Sequence, residues 1–538
     1  MRIALEVHTS SSYDDVLATL VADKVASRIG DQDPTLWGTA AEHEASIRLS
    51  WVGLPTSSRP LLAEIDALRA ELWGEGVDRV VLSGMGGSSL APLLISRTYD
   101  VPLVVLDSTD PQVVADALNG DLARTVVVIS SKSGTTVEPD CHRRAFTAAF
   151  QAAGIEPGSR LVAVTDPGSP LATLANEQGF RRLFLADPHV GGRYSALTAF
   201  GLVPTGLAGV DVADLLDEAE EVVATLRADS PDNPALRLGA ALAANPGRDK
   251  VVIADAGSGI VGFADWAEQL IAESTGKQGK GVLPVALESA AAPEIARPAG
   301  DLVAALLVGE VPPGKEWTAV PDTGGKPLVQ VQGALGAQLL TWETAVAVAG
   351  RLIGINPFDQ PDVESAKAAA RGLLEQTPPP EPAVRTDAGI EVRGSAGLVD
   401  DVESLADAVQ ALLDAVPDNG YLAVMAYVDE HRDAVLHQVR ATLSRRLNRP
   451  VTFGWGPRFL HSTGQYHKGG PAEGAFLQIT CTEPTDVPIP GLPFTFATLI
   501  AAQAAGDAHV LAKLGRPVLR LHLTDPSAGV ATLGDLLR

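Results

Sequence analysis

At ~150 residues per domain, a chain of 538 residues has room for three packed units, and with 46% hydrophobic and 20% charged side chains its composition is globular, neither disordered nor membrane-embedded. Its 41 basic against 66 acidic residues give a formal charge of -25, which disfavours nucleic acid and anionic membrane as partners and leaves an anionic small molecule dependent on a local pocket of N–H groups, hydroxyls and a few cations. Cys141 and Cys481 are too few for a disulfide framework or a structural zinc site, charges in the first thirty residues break any apolar signal core, and no later segment is long enough to span a bilayer, so no metal is expected and the expected compartment is the cytoplasm.

Residues 1–75 read as a helical cap, with helical spacing from 13 to 75 and Trp37, Trp51 and Trp73 placed to pack on the next unit of the chain. The rhythm then changes. RVVLS (79–83), PLVVLD (102–107), TVVVIS (125–130), RLVAVT (160–165) and RRLFLA (181–186) are short β-branched runs separated by helix-length segments, the pattern of a parallel sheet covered on both faces. Asp110 before Pro111, and Asp166 before Pro167, offer N-caps with proline at the first helical position. These residues make 76–210 one doubly wound α/β subdomain. KVVIADAG (250–257), LVAALLVG (302–309), PLVQVQG (327–333) and a helix from about 361 to 375 make 211–375 a second. The proline run within 376–388 reads as a stiff linker. Residues 389–538, with strands GYLAVMAYV (420–428), AFLQIT (475–480) and PVLRLHL (517–523), form a smaller C-terminal α/β region, so the fold class is α/β throughout.

The first strand runs into SGMGGSSLAP (83–92), for which two readings compete. One is a dinucleotide fingerprint, with Asp107 about twenty residues on as the ribose-binding acid; Ser89 breaks it, because that place needs glycine or alanine for close helix-on-strand packing. The other is a phosphate cradle, in which Gly86 and Gly87 let the backbone expose N–H groups and Ser88 adds a hydroxyl at a helix start. Two strands later SSKSGTT (130–136) offers a second cradle, with Ser131, Ser133, Thr135 and Thr136 around Lys132. Both loops leave the carboxyl edge of the same sheet, where ligands of doubly wound folds bind. A third stretch, WAEQLIAESTGKQGKG (266–281), reads as a helix stopping at Gly276. Gln269 and Glu273 share one face near its C-terminus, where the helix dipole raises a carboxylate's pKa and suits it to be a general base.

Five stretches in order, GMGGSS, SSKSGTT, GGRYSALTAFG, QLIAESTGKQGKG and FDQPDVESAK, resemble those of the phosphoglucose isomerases over roughly residues 80–370. The resemblance implies two sugar isomerase subdomains that bind a sugar phosphate between them, no cofactor, a homodimer, and reversible conversion of glucose 6-phosphate to fructose 6-phosphate. It implies phosphate contacts for Ser88, Ser131, Ser133 and Thr136, with Gly87, Lys132 and Thr135 beside them. It makes Glu273 the base that moves a proton between C1 and C2, and Arg193 the cation that steadies the enediolate. Gln269, Gln360 and Lys367 match further substrate contacts, Lys367 acting with a histidine in ring opening. Other readings are a phosphoglucose and phosphomannose isomerase of dual specificity, and a sugar-phosphate-binding regulator without turnover; a regulator has no need of Glu273, Arg193 and Lys367 together.

The chain departs from that family in one respect. Between Glu273 and Gln360 there is no histidine to open the ring. After the linker, GPRFLHSTGQYHKGGP (456–471) resembles the tail of the isomerase half of transaldolase-isomerase fusions, although residues 1–75 are too short for a transaldolase barrel. Its His461 and His467 flank Ser-Thr-Gly-Gln, similar to the run that precedes the family's histidine. The expectation is that the third region folds back over a sheet edge, of its own or a partner subunit, and supplies one of the two as proton shuttle.

Overall fold

The computed structural model describes residues 4–8, 11–244, 247–297, 299–310, 327–376 and 381–537, and within them three sheets. The opening strand β1 (Ala4–His8) belongs to the second of these. The first sheet joins β2 (Arg79–Ser83), β3 (Leu103–Leu106), β4 (Thr125–Ser130), β5 (Leu161–Thr165) and β6 (Arg182–Leu185) in the order β3-β2-β4-β5-β6, all parallel. Every residue of β4 and β5 is buried, because alternate side chains enter separate cores on the two faces. Val126 and Val128 join the core that holds Ile65, Leu68 and Phe200, whereas Val127 and Ile129 join Phe146, Phe150 and Phe496.

Two expectations for this part need correction. Asp166 does not cap the following helix: Ser169 accepts from Ala172 N, the helix runs Pro170–Glu177, and Asp166 is held by Lys132. Trp73 does not pack inward but stands 48% exposed at the end of helix Pro60–Gly74, while Trp37 and Trp51 are buried. Trp37 Nε1 donates to Ala347 O (2.8 Å), and Trp51 stacks on Tyr194 (5.2 Å between centroids), so the N-terminal helices buttress both later halves.

The second sheet contains β7 (Lys250–Ala256), β8 (Leu283–Ala286), β9 (Leu302–Val308) and β10 (Leu328–Gln332), parallel in the order β8-β7-β9-β10. Its outer edge is β1, antiparallel to β10. Residues 1–75 are therefore not wholly helical: Ala4–His8 is an edge strand, with Leu5 buried, and is too short to show a period. β8 is equally hard to see in the sequence, being four residues long and interrupted by Pro284.

The third sheet has the order β11-β12-β16-β15-β13-β14, with β11 (Arg385–Asp387), β12 (Ile390–Gly394), β13 (Tyr421–Tyr427), β14 (Val451–Trp455), β15 (Gly474–Cys481) and β16 (Val518–Leu523). β13 to β16 are parallel and the β11–β12 hairpin adds antiparallel to β16. Of the expected linker 376–388, residues 377–380 lie outside the described residues, and Arg385–Asp387 is strand, not linker. Ala388 (φ 48°) and Gly389 (φ 77°) close the hairpin in the left-handed region, a turn that an alanine at its first place disguises. Helix Phe496–Lys513 seats this region on helix Val363–Gln376; a Cβ on Gly506 would lie 2.8 Å from Ala370 N, so the two backbones approach as only glycine permits. Among the described residues no helix is long and apolar enough to cross a membrane.

Candidate active site

Helix Phe263–Thr275 follows β7, and every residue from Trp266 to Thr275 is buried. Gln269 and Glu273, one turn apart, do share a face: Gln269 Nε2 donates to Glu273 Oε2 at 3.4 Å. Arg193, buried in the turn Gly192–Tyr194, places Nη1 3.4 Å from the same oxygen. The guanidinium is fixed from all sides. Nε donates to Ser274 Oγ (2.8 Å), Nη1 to Gln360 Oε1 (2.5 Å), and Nη2 to Pro357 O (2.7 Å) and Asp359 O (3.0 Å). Lys277, also buried, grips the same loop through Asn356 O (2.7 Å), Asp359 O (2.6 Å) and Asp359 Oδ1 (2.8 Å). Burial, with Arg193 nearby, pushes the Lys277 ammonium down to about 8.

Burial pushes the Glu273 carboxyl up, and Arg193, His461, Gln269 and Lys367 pull it back only in part. The direction matches the expectation from the helix dipole, but desolvation is the main cause. A carboxylate placed in this way, with a cation and an amide on one of its oxygens, suits proton transfer.

The first glycine loop is pressed against this helix. Gly86 has φ 56°, and a Cβ there would come within 2.8 Å of Gln269 Nε2 and of His461 O. A Cβ on Gly87 would lie 2.0 Å from Gly192 O, so the turn bearing Ser88 and the turn bearing Arg193 touch through backbone alone. Ser89 Oγ donates to Gly86 O and closes the turn. In the second loop Ser131 Oγ bonds to Thr136 Oγ1 (2.9 Å) and accepts from Gly134 N (3.1 Å), and Ser133 Oγ bonds to Thr135 Oγ1 (2.9 Å). Lys132 is turned to structural use: its Nζ pairs with Asp166 Oδ2 (2.5 Å) and donates to Pro188 O (3.2 Å). Asp107, which a dinucleotide site would keep for ribose, is gripped by Arg458 through two bonds of 2.7 and 2.6 Å.

Arg458 belongs to the third region. The carboxyl end of β14 leads into the turn Arg458–His461, and this turn lies over the carboxyl edge of the first sheet. His461 O accepts from Gln269 Nε2 (2.9 Å) and His461 Nε2 stands 3.0 Å from Glu138 Oε1. Burial alone would raise the Glu138 carboxyl; His461 and Lys367 outweigh it and hold it below the ordinary range. A carboxylate only accepts, so Nε2 carries the proton of this bond and Nδ1 is left for exchange. Lys367, on helix Val363–Gln376, acts electrostatically on both Glu273 and Glu138. Gln465 Nε2 donates to Gly276 O (2.8 Å) and Asp362 Oδ2 (2.7 Å) while its Oε1 accepts from Asp362 N (3.0 Å), which ties the end of the Glu273 helix to the loop of Gln360.

The structure thus brings Glu273, Arg193, Gln269, Gln360, Lys367 and His461 into one neighbourhood, and leaves His467 out of it. The His467 ring is 2% exposed, within 6.1 Å of Tyr421 and 5.2 Å of Phe476, and neither nitrogen has a hydrogen-bond partner among the described residues. Burial, Lys468 and Arg516 hold it far below the usual histidine range, so it stays neutral inside an aromatic core and is no proton shuttle. Sequence reasoning misses Glu138 and Gln465. Glu138 looks like an ordinary first-turn acid of helix Val137–Ala152, and nothing in its local pattern signals a partner 323 residues away.

Residues 65–278 match the family model described as phosphoglucose isomerase. A probable glucose-6-phosphate isomerase of Haloarcula marismortui is 29% identical over 352 residues, 57% of this chain and 80% of that one. The glucose-6-phosphate isomerase of Synechococcus elongatus is 32% identical over 345 residues, 54% of this chain and 65% of the relative's length. The crystal structure of a glucose-6-phosphate isomerase from Chlamydia trachomatis shares the fold with a TM-score of 0.51 at 20% identity, over 63% of this chain and 75% of its own. Residues 65–278, which hold both glycine loops, Arg193 and Glu273, carry the likeness to the phosphoglucose isomerase family.

Proposed function

We propose that the protein interconverts glucose 6-phosphate and fructose 6-phosphate through an enediolate. The observation that carries this reading is the Glu273 carboxylate, buried, raised in pKa, and held within 3.4 Å of both Arg193 and Gln269. Proton removal beside a carbonyl leaves charge on two oxygens, and a pre-oriented guanidinium in a dry site stabilises it without reorganising. Glu273 takes the proton from one carbon and returns it to the next. Arg193 holds the enediolate oxygens and, through Gln360 and the 357–359 carbonyls, keeps its own plane fixed. The hydroxyls of Ser88, Ser131, Ser133 and Thr136 bind the phosphate, and that remote binding energy orients the sugar. His461, backed by Glu138, and Lys367 move the proton that opens the ring.

Fructose 6-phosphate in deuterated water tests the proposal, with nicotinamide cofactor present or absent. Deuterium at C2 of the glucose 6-phosphate formed, independent of cofactor, is the expected result. Binding without exchange would leave a sugar-phosphate receptor, and exchange that needs cofactor would restore the dinucleotide reading.

A further inference from the structure

Glu138 is 3% exposed, and its Oε1 is met twice by the third region. His461 Nε2 is 3.0 Å away and Gln503 Nε2 is 2.8 Å away. Gln503, 4% exposed on helix Phe496–Lys513, in turn accepts a 2.6 Å bond at Oε1 from Thr109 Oγ1. The chemistry of the partners settles the orientation of the amide. An ionised carboxylate only accepts, so Gln503 turns its N–H toward Glu138 and its oxygen toward the Thr109 hydroxyl; the opposite flip sets two oxygens against each other. Thr109 and Glu138 stand at the carboxyl edge of the first sheet, after β3 and β4, while Gln503 and His461 belong to the third. Arg458 on Asp107, and Thr485 Oγ1 on Gln112 Oε1 (2.8 Å), seat the same two edges together on either side.

We infer that Gln503 is a positioning residue: by its single N–H on Glu138 it aims that carboxylate at His461 Nε2, and so determines which imidazole nitrogen carries the proton. The third region then supplies both the histidine and the orienter of its partner. The inference deepens the isomerase reading, on which the ring-opening role of His461 rests. Other ionisable groups face the pair: Lys367 acts on Glu138 and Glu273, Glu273 faces His461, and Cys141 and His142 feel Glu138 from its own helix. Gln503 meets Glu138 Oε1 directly, by a 2.8 Å hydrogen bond from Nε2. A buried carboxylate deprived of one donor holds its charge less well, and the proton of the Glu138–His461 bond moves toward the carboxylate.

Gln503→Leu removes the donor, and Gln503→Glu keeps the shape but opposes Glu138 with a second acid. Expected in the full chain is a fall of about tenfold in kcat with KM little changed, the size of a lost hydrogen bond to a charged group. The acid limb of the kcat profile should move to higher pH, further in Gln503→Glu than in Gln503→Leu. The ring nitrogen resonances of ligand-free protein, with those of His461 identified by their loss in His461→Asn, should show the Nε2 proton weakened in both variants. Unchanged His461 resonances, or equal pH profiles in all three proteins, would overturn the inference and make Gln503 a packing residue. Should either variant fail to fold, Thr109→Val loosens the same chain from its far end and is read in the same way. A parent protein without turnover would remove the isomerase reading, while the ring resonances would still decide the contact.

Discussion

Around Glu273 each polar neighbour is buried or half-buried and tied to something else: Arg193 to Ser274, Gln360 and two carbonyls, Gln269 to His461 O, and His461 to Glu138. In the Ser131–Thr136 loop the hydroxyls bond chiefly to one another, and Ser133 and Thr135 are exposed. The contrast separates two kinds of work. Groups that face a developing charge gain from being immobile before the reaction, since reorganisation would cost part of the barrier they lower. Groups that bind an anion from water gain from having exchangeable hydrogen bonds, because a phosphate oxygen can replace a neighbouring hydroxyl at little cost.

The largest effect should come from breaking the rigid region. Glu273→Gln keeps shape and loses basicity, so deuterium exchange should fall about 10²–10⁴-fold while sugar-phosphate binding persists. Because burial raises the Glu273 carboxyl, the active, ionised form appears only above the ordinary glutamate range, and exchange should be lost with falling pH earlier than for an exposed glutamate. In the exchangeable loop, Ser131→Ala with Thr136→Ala should weaken binding by ~1–3 kcal/mol, read by calorimetry, with the exchange rate at saturation far less affected. Unchanged affinity would return that loop to a structural role.

The two histidines sharpen the contrast over six residues. His461→Asn should slow conversion of the cyclic sugar about 10²-fold or more and spare proton exchange on the open chain, the ordinary scale of a lost acid–base group. His467→Asn should instead lower thermal stability, since it forces a polar amide into the aromatic cluster of Tyr421, Phe459 and Phe476. Reversal of these two outcomes would overturn the placement of the shuttle.

The last expected effect, on stability and not on turnover, lies at the seam between the first and third sheets. Burial, and then Glu483, push the Asp110 carboxyl up to about 8. The folded chain therefore keeps a proton that the unfolded chain releases at 3.8, and stability declines as pH rises through that interval. Asp110→Asn retains the cap on Gln112 and Val113, so its thermal midpoint should exceed the parent's by a margin that grows toward pH 8. A margin that stays constant or shrinks with pH would refute the raised Asp110 carboxyl.

Local pattern alone determined the parts of this protein that local forces build. The five strands of the first sheet are continuous β-branched runs, the Glu273 helix ends at a glycine, and Gln269 and Glu273 meet because 3.6 residues make a turn. Short edge elements such as β1, β8 and the β11–β12 hairpin carried too few residues to show a period, and pairing with a neighbour, not propensity, made them strands. The choice between His461 and His467 was open in the sequence, because both are the same residue type in one short run. Only tertiary structure could decide it: docking of the third region sets one ring against the Glu138 carboxylate and seals the other among aromatic rings, and burial among distant residues leaves no mark on the neighbouring sequence.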